Sequence, residues 1–213
     1  MGHDGVRAIM DRREHWDRIY GSKQDQDLSW FEAQPAESLQ MLEAAGVTAD
    51  SCVIDVGGGN SRLVDALLAR GLRCLAVLDV SAVALDAARA RVGQAGGGVT
   101  WIAADVCGEW SLPPVDIWHD RAVFHFLTEP DERAGYVRRL QDTVKPGGNV
   151  IIATFAMDGP EKCSGLPIVR YSPDTLAAAL GDHCTLQGSQ ACRHVTPWGA
   201  TQSFQYSRFR RSD

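Results

Sequence analysis

The chain has 213 residues and a mass of 23.1 kDa, which is enough for one α/β domain with a full core and too little for two ordinary domains. Its 27 acidic residues outnumber its 21 basic ones, and the net charge of −6 argues against a protein that binds nucleic acid through its electrostatic field. Neither a signal peptide nor a bilayer-spanning stretch is apparent, so we expect a cytoplasmic monomer or homodimer without a membrane partner.

The first predicted element is an amphipathic helix that follows a polar stretch, residues 1–13, which we expect to be frayed. Trp16, Ile19 and Tyr20 share one face of this helix at i, i+3 and i+4 spacing, and Trp30 follows after a polar loop. Such aromatic residues either pack onto the core or form a lid over a ligand. Periodicity alone favours packing onto the core.

A second helix over residues 36–45 leads into a strand, a glycine turn and a helix over residues 53–70. Because glycines 57–59 have no side chain, the backbone there can adopt positive φ and let a ligand lie against it. A dinucleotide fingerprint would need a glycine where this chain has Arg62, and a P-loop would need a lysine in the turn. The turn therefore indicates a nucleotide-like ligand of another kind.

Two further strands, a buried one over residues 74–79 and another over residues 99–104, each end beside an acidic residue, Asp79 and Asp105. The carboxyl ends of parallel strands meet at one edge of a sheet, so these carboxylates are expected near the glycine turn. Asp79 would there accept hydrogen bonds from a bound ligand. The alternative is that Asp79 only caps the helix that follows it.

A polar cluster follows the fourth predicted strand, residues 116–118. His125 and Asp120 are candidate general bases, because a carboxylate or an imidazole at this edge of the sheet can accept a proton near neutral pH. Arg121 could orient an anionic or carbonyl-bearing substrate. The alternative is a structural ion pair between Asp120 and Arg121, with His125 packed beneath a helix.

The second half of the chain contains a long loop, residues 156–171, after the fifth strand. Long loops at the ligand edge of such a sheet are usually functional, so this loop is expected to wall a substrate pocket. The remaining predicted elements are helices over residues 132–144 and 173–180 and strands over residues 150–155, 184–192 and 203–211.

Six cysteines are scattered without a C-x-x-C pair, which predicts neither a zinc site nor a disulfide framework. We therefore interpret them as reduced thiols. Cys52 and Cys74 fall at the starts of strands and are expected in the core.

The order of these motifs resembles that of the class I S-adenosyl-L-methionine (SAM) dependent methyltransferases. Asp55, two places before Gly57, and the glycines that follow match the first motif of this family, with Ser61 in place of a third glycine. The motif W-D-x-x-Y that begins at Trp16, followed by a Trp-Phe pair, is similar to the N-terminal segment of eukaryotic lysine methyltransferases of elongation factor 1A and citrate synthase. In those proteins the segment folds over the cofactor.

The resemblance implies an α/β fold: a Rossmann-like, seven-stranded, mostly parallel sheet with a closing antiparallel hairpin and helices on both faces. It implies an N-terminal helical lid over residues 1–35, a methyltransferase domain over residues 36–213, and SAM as cofactor with S-adenosyl-L-homocysteine (SAH) as product. The implied cofactor-binding residues are Trp16, Tyr20, Trp30, Asp55, Gly57, Gly58, Gly59, Asp79, Val80, Asp105, Val106 and Asp120.

The expected activity is methyl transfer to an acceptor, and a small molecule is favoured. A protein-lysine methyltransferase and a non-catalytic SAM-binding protein remain alternatives. No metal is expected. The candidate catalytic residues are His125, Asp120 and Arg121, and the candidate substrate-binding residues are Phe126, Phe155, Cys163, Arg170 and Tyr171.

Overall fold

The computed structural model describes residues 3–212, with side chains from residue 12 onward. Its centre is a seven-stranded sheet. The strands of this sheet are β1 (Cys52–Val56), β2 (Cys74–Asp79), β3 (Val99–Ala103), β4 (Val115–Arg121), β5 (Val144–Phe155), β8 (Cys184–Val195) and β9 (Thr201–Arg211), and a small hairpin of β6 (Lys162–Cys163) and β7 (Leu166–Pro167) stands apart.

The strand order is β3-β2-β1-β4-β5-β9-β8. Neighbours from β3 to β5 pair in parallel, and β9 runs antiparallel to both β5 and β8. The predicted Rossmann-like fold with a closing antiparallel hairpin is thereby confirmed. Because the chain reverses its direction across the sheet between β1 and β4, the carboxyl ends of these two strands form a crevice of the kind in which α/β proteins bind ligands.

Helices cover both faces of the sheet, and alternate residues of each central strand supply the two cores. Ile54 and Val56 pack in the cluster that includes Tyr136, whereas Val53 packs in the other, with Leu67. The helices are α1 (His3–Ser22), α2 (Ala36–Ala44), α3 (Leu63–Ala69), α4 (Ala82–Val92), α5 (Pro130–Thr143) and α6 (Pro173–Leu180).

The N-terminal stretch differs from the expectation. Helix α1 begins at His3, so the residues from His3 to Arg13 are helical where fraying was expected, and residues 1 and 2 lie outside the described part. Among the described residues, no helix is both long and apolar enough to cross a bilayer.

The expectation that Cys52 and Cys74 are reduced core thiols was wrong. The structure joins them as a disulfide between the first residues of β1 and β2, and Cys74 is exposed. The two residues are direct partners in the parallel register, with a Cα–Cα distance of 4.5 Å, which is within disulfide range. Their separation of 22 residues carried no sequence signal, because the pairing arises from strand register.

Candidate functional site

A cavity of about 760 Å³, including its open mouth, lies at the carboxyl edge of the sheet. Its walls come from α1, the glycine turn, the ends of β2, β3 and β4, and the long loop after β5. The lining residues are Arg12, Trp16, Tyr20, Trp30, Gly57, Leu78, Asp79, Val80, Ala104, Asp105, Val106, Arg121, Ala122, Val123, Phe126, Leu127 and Cys163.

Asp79 lies at the end of β2 on the cavity wall and is only 6% exposed. One carboxylate oxygen accepts a hydrogen bond from the backbone N–H of Ser81 at 2.8 Å. Burial, together with the charges of Asp55 and Asp17, raises the pKa of Asp79 to about 7, although backbone hydrogen bonds from Ser81 and Gly59 oppose the shift. A buried carboxylate that faces a cavity, with no cationic partner among the described residues, is well suited to a ligand that donates hydrogen bonds.

Asp105 follows β3, and its side chain contacts Arg12, a residue that no sequence motif indicated. The guanidinium of Arg12 lies 3.3 Å from Asp105 and 2.5 Å from Glu132, so it joins helix α1 to the ends of two other elements. Although burial opposes its charge, Glu132 and Asp105 raise the pKa of Arg12. Arg12 is four residues before Trp16, and this helical spacing is the one sequence signal that could have found it.

Four aromatic side chains cover the cavity, and we call Trp16, Tyr20, Trp30 and Phe126 the aromatic cluster. Trp16 contacts Phe126 edge-to-face at a centroid distance of 5.3 Å and Trp30 at 5.7 Å, and Tyr20 meets Trp30 at 5.9 Å. The helix that carries two of these residues is anchored by Ser81, whose hydroxyl donates to Asp17 at 2.6 Å. The structure thus places the N-terminal aromatic residues over the cavity, at the position of a lid.

Two residues of the glycine turn have positive φ and close neighbours, which explains why they are glycines. Gly57 has φ 66° and lines the cavity, and a Cβ atom there would collide with the side chain of Val123. Gly59 has φ 45°, and a Cβ there would lie 2.6 Å from the Tyr20 hydroxyl and 3.1 Å from the Asp79 carboxylate. Gly58, like Gly59, is not among the lining residues. The side chains of Val123, Tyr20 and Asp79 therefore require small residues in the turn, just as a bound ligand would.

Asp55 lies beneath the turn and outside the cavity lining, so a direct cofactor contact has no support from the geometry. One of its oxygens lies 2.8 Å from Nδ1 of His119, whose Nε2 lies 3.0 Å from the Ser38 hydroxyl, which in turn lies 3.3 Å from Tyr206. The four groups are each at most 3% exposed. This order resembles an acid–base–nucleophile chain, but neither His119 nor Ser38 lines the cavity, and the chain therefore joins β1, β4, α2 and β9 as a structural network.

Asp120 is fully buried and does not line the cavity, so its expected roles as base and cofactor ligand are withdrawn. It accepts hydrogen bonds from the backbone N–H groups of Val123 and Phe124 at 2.8 and 3.1 Å and from the Tyr136 hydroxyl at 2.7 Å. Burial raises the pKa of Asp120 to about 6. Its function is to hold the turn after β4, where Ala122 has φ 72° and lines the cavity.

His125 is also fully buried and lies outside the cavity lining. Its ring packs against Phe126 and Phe155, and the backbone N–H of Phe155 donates to its Nδ1 at 3.4 Å. Burial and the nearby Arg121 lower the pKa of His125 to about 3, which makes the imidazole a poor proton acceptor. The general-base assignment is therefore withdrawn, and the alternative of a packed core histidine describes the residue.

Arg121 lines the cavity but pairs with Glu32 and not with Asp120. Its guanidinium donates to the Trp30 carbonyl at 3.0 Å and to Glu32 at 2.7 Å, and Glu32 lies 3.2 Å from Nδ1 of His194, whose Nε2–H donates to the carbonyl of Ser29 at 2.6 Å. We call Arg121, Glu32 and His194 the latch. His194 and Arg121 hold the pKa of Glu32 below its ordinary value despite burial. The latch fixes the Trp30 segment against β4 and β8.

The long loop reaches the cavity through Cys163, on the small hairpin of β6 and β7. The other expected substrate residues of this region do not line it. Phe155 is 1% and Tyr171 5% exposed, both within the core, and Arg170 donates to the Gly159 carbonyl and to Glu161 within the loop itself. Their expected substrate contacts are withdrawn, whereas Phe126 and Cys163 remain candidates. Among the described residues, no group of three potential metal ligands was found.

Known proteins share sequence or structure with parts of this chain. Residues 53–148 match a family model described as a methyltransferase domain. No curated protein matches the chain. The match covers the glycine turn, the ends of β2, β3 and β4, and helix α5.

Several solved structures share the fold. N-methyltransferase NodS from Bradyrhizobium japonicum WM9, in complex with SAH, is 16% identical with a TM-score of 0.72, and the alignment covers 94% of this chain and 98% of that one. A 1,6-didemethyltoxoflavin-N1-methyltransferase from Burkholderia thailandensis is 19% identical with a TM-score of 0.69, covering 100% and 92%. A structure described for the conversion of a disulfide bond into a thioacetal group during echinomycin biosynthesis is 22% identical with a TM-score of 0.76, covering 94% and 92%.

The matched domain and the shared fold confirm the resemblance to class I SAM-dependent methyltransferases. The similarity of the N-terminal segment to lysine methyltransferases is not among these findings and stays a prediction.

Proposed function

We propose that this protein is a SAM-dependent methyltransferase that acts on a small molecule. The observation that carries the proposal is the cavity in which Gly57, Asp79 and Asp105 meet beneath the aromatic cluster. Three strands of one parallel sheet deliver these residues to one edge. Such convergence at the point where the strand order reverses is typical of nucleotide-like ligands in α/β proteins.

SAM is the cofactor, and the residues of the cavity fit it. Gly57 contributes backbone to the cavity wall, Asp79 would accept hydrogen bonds from two ribose hydroxyls, and Asp105 would accept one from the adenine amine. When bound, SAM supplies an electrophilic methyl group on a positively charged sulfur. The chain's own task is to align the acceptor with that methyl group and to exclude water, which the aromatic cluster does from above.

We assign residues 1–35 to a lid and residues 36–213 to the methyltransferase domain. The assignment is supported by contacts of Arg12, Trp16 and Trp30, each of which reaches across to residues beyond position 100. The lid and the loop that carries Cys163 both wall the cavity, and this enclosure favours a small acceptor over a protein. The motif W-D-x-x-Y from Trp16 is the observation that favours a lysine acceptor instead.

The affinity for SAH is expected to increase as the pH rises from about 6 to about 8. Asp79 has a pKa near 7 in the ligand-free protein, and its carboxylate accepts ribose hydrogen bonds better than the protonated form does. Because this pKa is raised from 3.8, protonation also stabilises the ligand-free fold, a contribution that is full below about pH 4 and lost as the pH rises through about 7. Calorimetric titration with SAH across this range measures the trend. The substitution Asp79→Asn should abolish it, and an affinity independent of pH in the unsubstituted protein would contradict the assignment.

Methylation of cell extract with radiolabelled SAM tests the proposed function. Label in the small-molecule fraction is the expected result, and label in the protein fraction would support the lysine alternative. The Asp79→Ala variant is the matched control, because it should lose labelling at low SAM concentration while it remains folded. Binding of SAM without any labelled product would support the non-catalytic alternative.

A further inference from the structure

Resting on the proposed function, we infer the class of acceptor: a neutral, planar heteroaromatic molecule that is methylated on a pyridine-type ring nitrogen, which carries no proton at neutral pH. The inference comes from the composition of the cavity beyond the cofactor residues. It rests on the side chains that form the walls of the cavity, on the charges of those side chains and on whether the reaction must remove a proton from the acceptor.

The cavity has a donor end and an acceptor end. Asp79 and Asp105 mark the donor end, and the side chain of Val123 packs against Gly57. We define the acceptor end by six lining residues from the lid, the region after β4 and the long loop. These are Trp16, Trp30, Arg121, Phe126, Leu127 and Cys163.

Aromatic and apolar surface dominates the acceptor end. Trp16 stands between Trp30 and Phe126 with interplanar angles of 79° to each, so these three rings are not stacked on one another. Flat heteroaromatic rings stack on aromatic side chains of this kind. A flexible alkyl chain would gain contact area there but no stacking.

The charges of the acceptor end disfavour ionic acceptors. Arg121 is the ionised side chain there, and the residues of the acceptor end include no carboxylate that could pair with an alkylammonium group. Its charge is compensated by Glu32 at 2.7 Å, so it offers little net attraction to an anion. The acceptor end therefore suits an acceptor without a net charge.

No described residue of the acceptor end is suited to remove a proton. His125 and Asp120 lie outside the cavity, and burial raises the pKa of the Cys163 thiol to about 11. The phenol of Tyr20 likewise has its pKa raised well above its ordinary value by burial. Alkylamines with a pKa near 10.4, phenols near 10 and thiols near 8.5 would each have to lose a proton first.

A pyridine-type nitrogen avoids this requirement. Its lone pair forms the new N–C bond while the C–S bond breaks and leaves its electron pair on sulfur. The positive charge passes from sulfur to the ring nitrogen, and no proton leaves. The faces of Trp16, Trp30 and Phe126 stabilise that charge throughout the transfer through cation–π interaction.

The charge of the product provides a direct test. Labelled small molecules from the extract reaction are passed over a cation exchanger at about pH 12, above the pKa of alkylamines. An N-methylated heteroaromatic cation keeps its charge and is retained, with near-ultraviolet absorbance. Label that flows through, label in protein, or a retained product without aromatic absorbance would overturn the inference while leaving the methyltransferase function intact. No label at all would overturn both.

Isoquinoline provides a second test with a defined probe. Its binding to the SAH-saturated protein is expected to fall at least tenfold in Trp30→Ala and to be unchanged in Trp198→Ala, whose side chain is 62% exposed. SAH affinity, measured in parallel, reports on the cofactor site. At saturating SAM, turnover of isoquinoline should be flat between about pH 7.5 and 9, because no proton is removed. Turnover of butylamine that rises with pH, together with no binding of isoquinoline, would contradict the inference.

Discussion

Replacing Asp79 with alanine is expected to weaken SAM binding by about 1.5–3 kcal/mol, roughly 10- to 150-fold, which is the range for hydrogen bonds to a charged group. The variant leaves two ribose hydroxyls without an acceptor in a buried part of the cavity. It also removes a carboxylate whose pKa is raised to about 7, so the ligand-free protein should be no less stable at pH 8. Isothermal titration calorimetry measures the affinity, and thermal unfolding measures the stability.

The matched control for this substitution is Asp86→Ala. Asp86 lies on α4, close in the chain to Asp79, but its side chain is 72% exposed and pairs with Arg89 at the surface. Its removal should change the SAM affinity by less than twofold. An Asp79→Ala variant that binds SAM as tightly as the control would remove the ribose assignment.

Replacing Gly59 with alanine is expected to impair cofactor binding even more strongly. The added Cβ atom would lie 2.6 Å from the Tyr20 hydroxyl and 3.1 Å from the Asp79 carboxylate, so the lid and the ribose acceptor would both be displaced. The residue also has φ 45°, which an alanine adopts at a cost of roughly 1–2 kcal/mol. We expect at least a hundredfold loss of SAM affinity, measured by calorimetry.

The substitution Gly71→Ala separates the cost of the backbone conformation from the effect of the collision. Gly71 has φ 84°, and no described atom lies within 4 Å of the point that an added Cβ would occupy, so the substitution brings the backbone cost without a collision. Its unfolding temperature should fall, but by no more than that of Gly59→Ala, and its SAM affinity should stay normal. Equal affinities in the two variants would show that the space beside Gly59 does not matter to the ligand.

The donor end of the cavity could be predicted from sequence because it depends on strand ends. Gly57, Asp79 and Asp105 each follow a short, mostly apolar run, and parallel strands must deliver their carboxyl ends to one edge. No side-chain orientation had to be known. The fold follows from the same regularity.

The acceptor end could not be predicted in this way, because it depends on which face of β4 each residue occupies. Side chains alternate along a strand, so His119 and Arg121 face α2 and β9, whereas Asp120 faces Tyr136 on the opposite side. Chain position alone makes these polar residues look like one group at the end of the strand. His125 was likewise expected at the site because of its proximity in sequence, although its short 3₁₀ helix turns the ring into the core.

Contacts between residues that are far apart in the sequence were also not predicted. Arg12 reaches Asp105 across 93 residues, and Glu32 meets His194 across 162. Neither pair has a local pattern, because each is created by the way α1 and the closing hairpin fold back over the sheet. A single sequence carries no record of such pairings.

The latch has a consequence for how the protein is made. A ribosome synthesises the lid first, yet the lid segment around Ser29 and Glu32 is fastened by His194, on a strand that emerges more than 160 residues later. At about 5–20 residues per second this delay is roughly 8–30 s. During that interval the strands that carry Gly57, Asp79 and Asp105 have emerged, but the cover over the cavity is not yet secured. Retention of the cofactor is therefore expected only after the hairpin of β8 and β9 has joined the sheet.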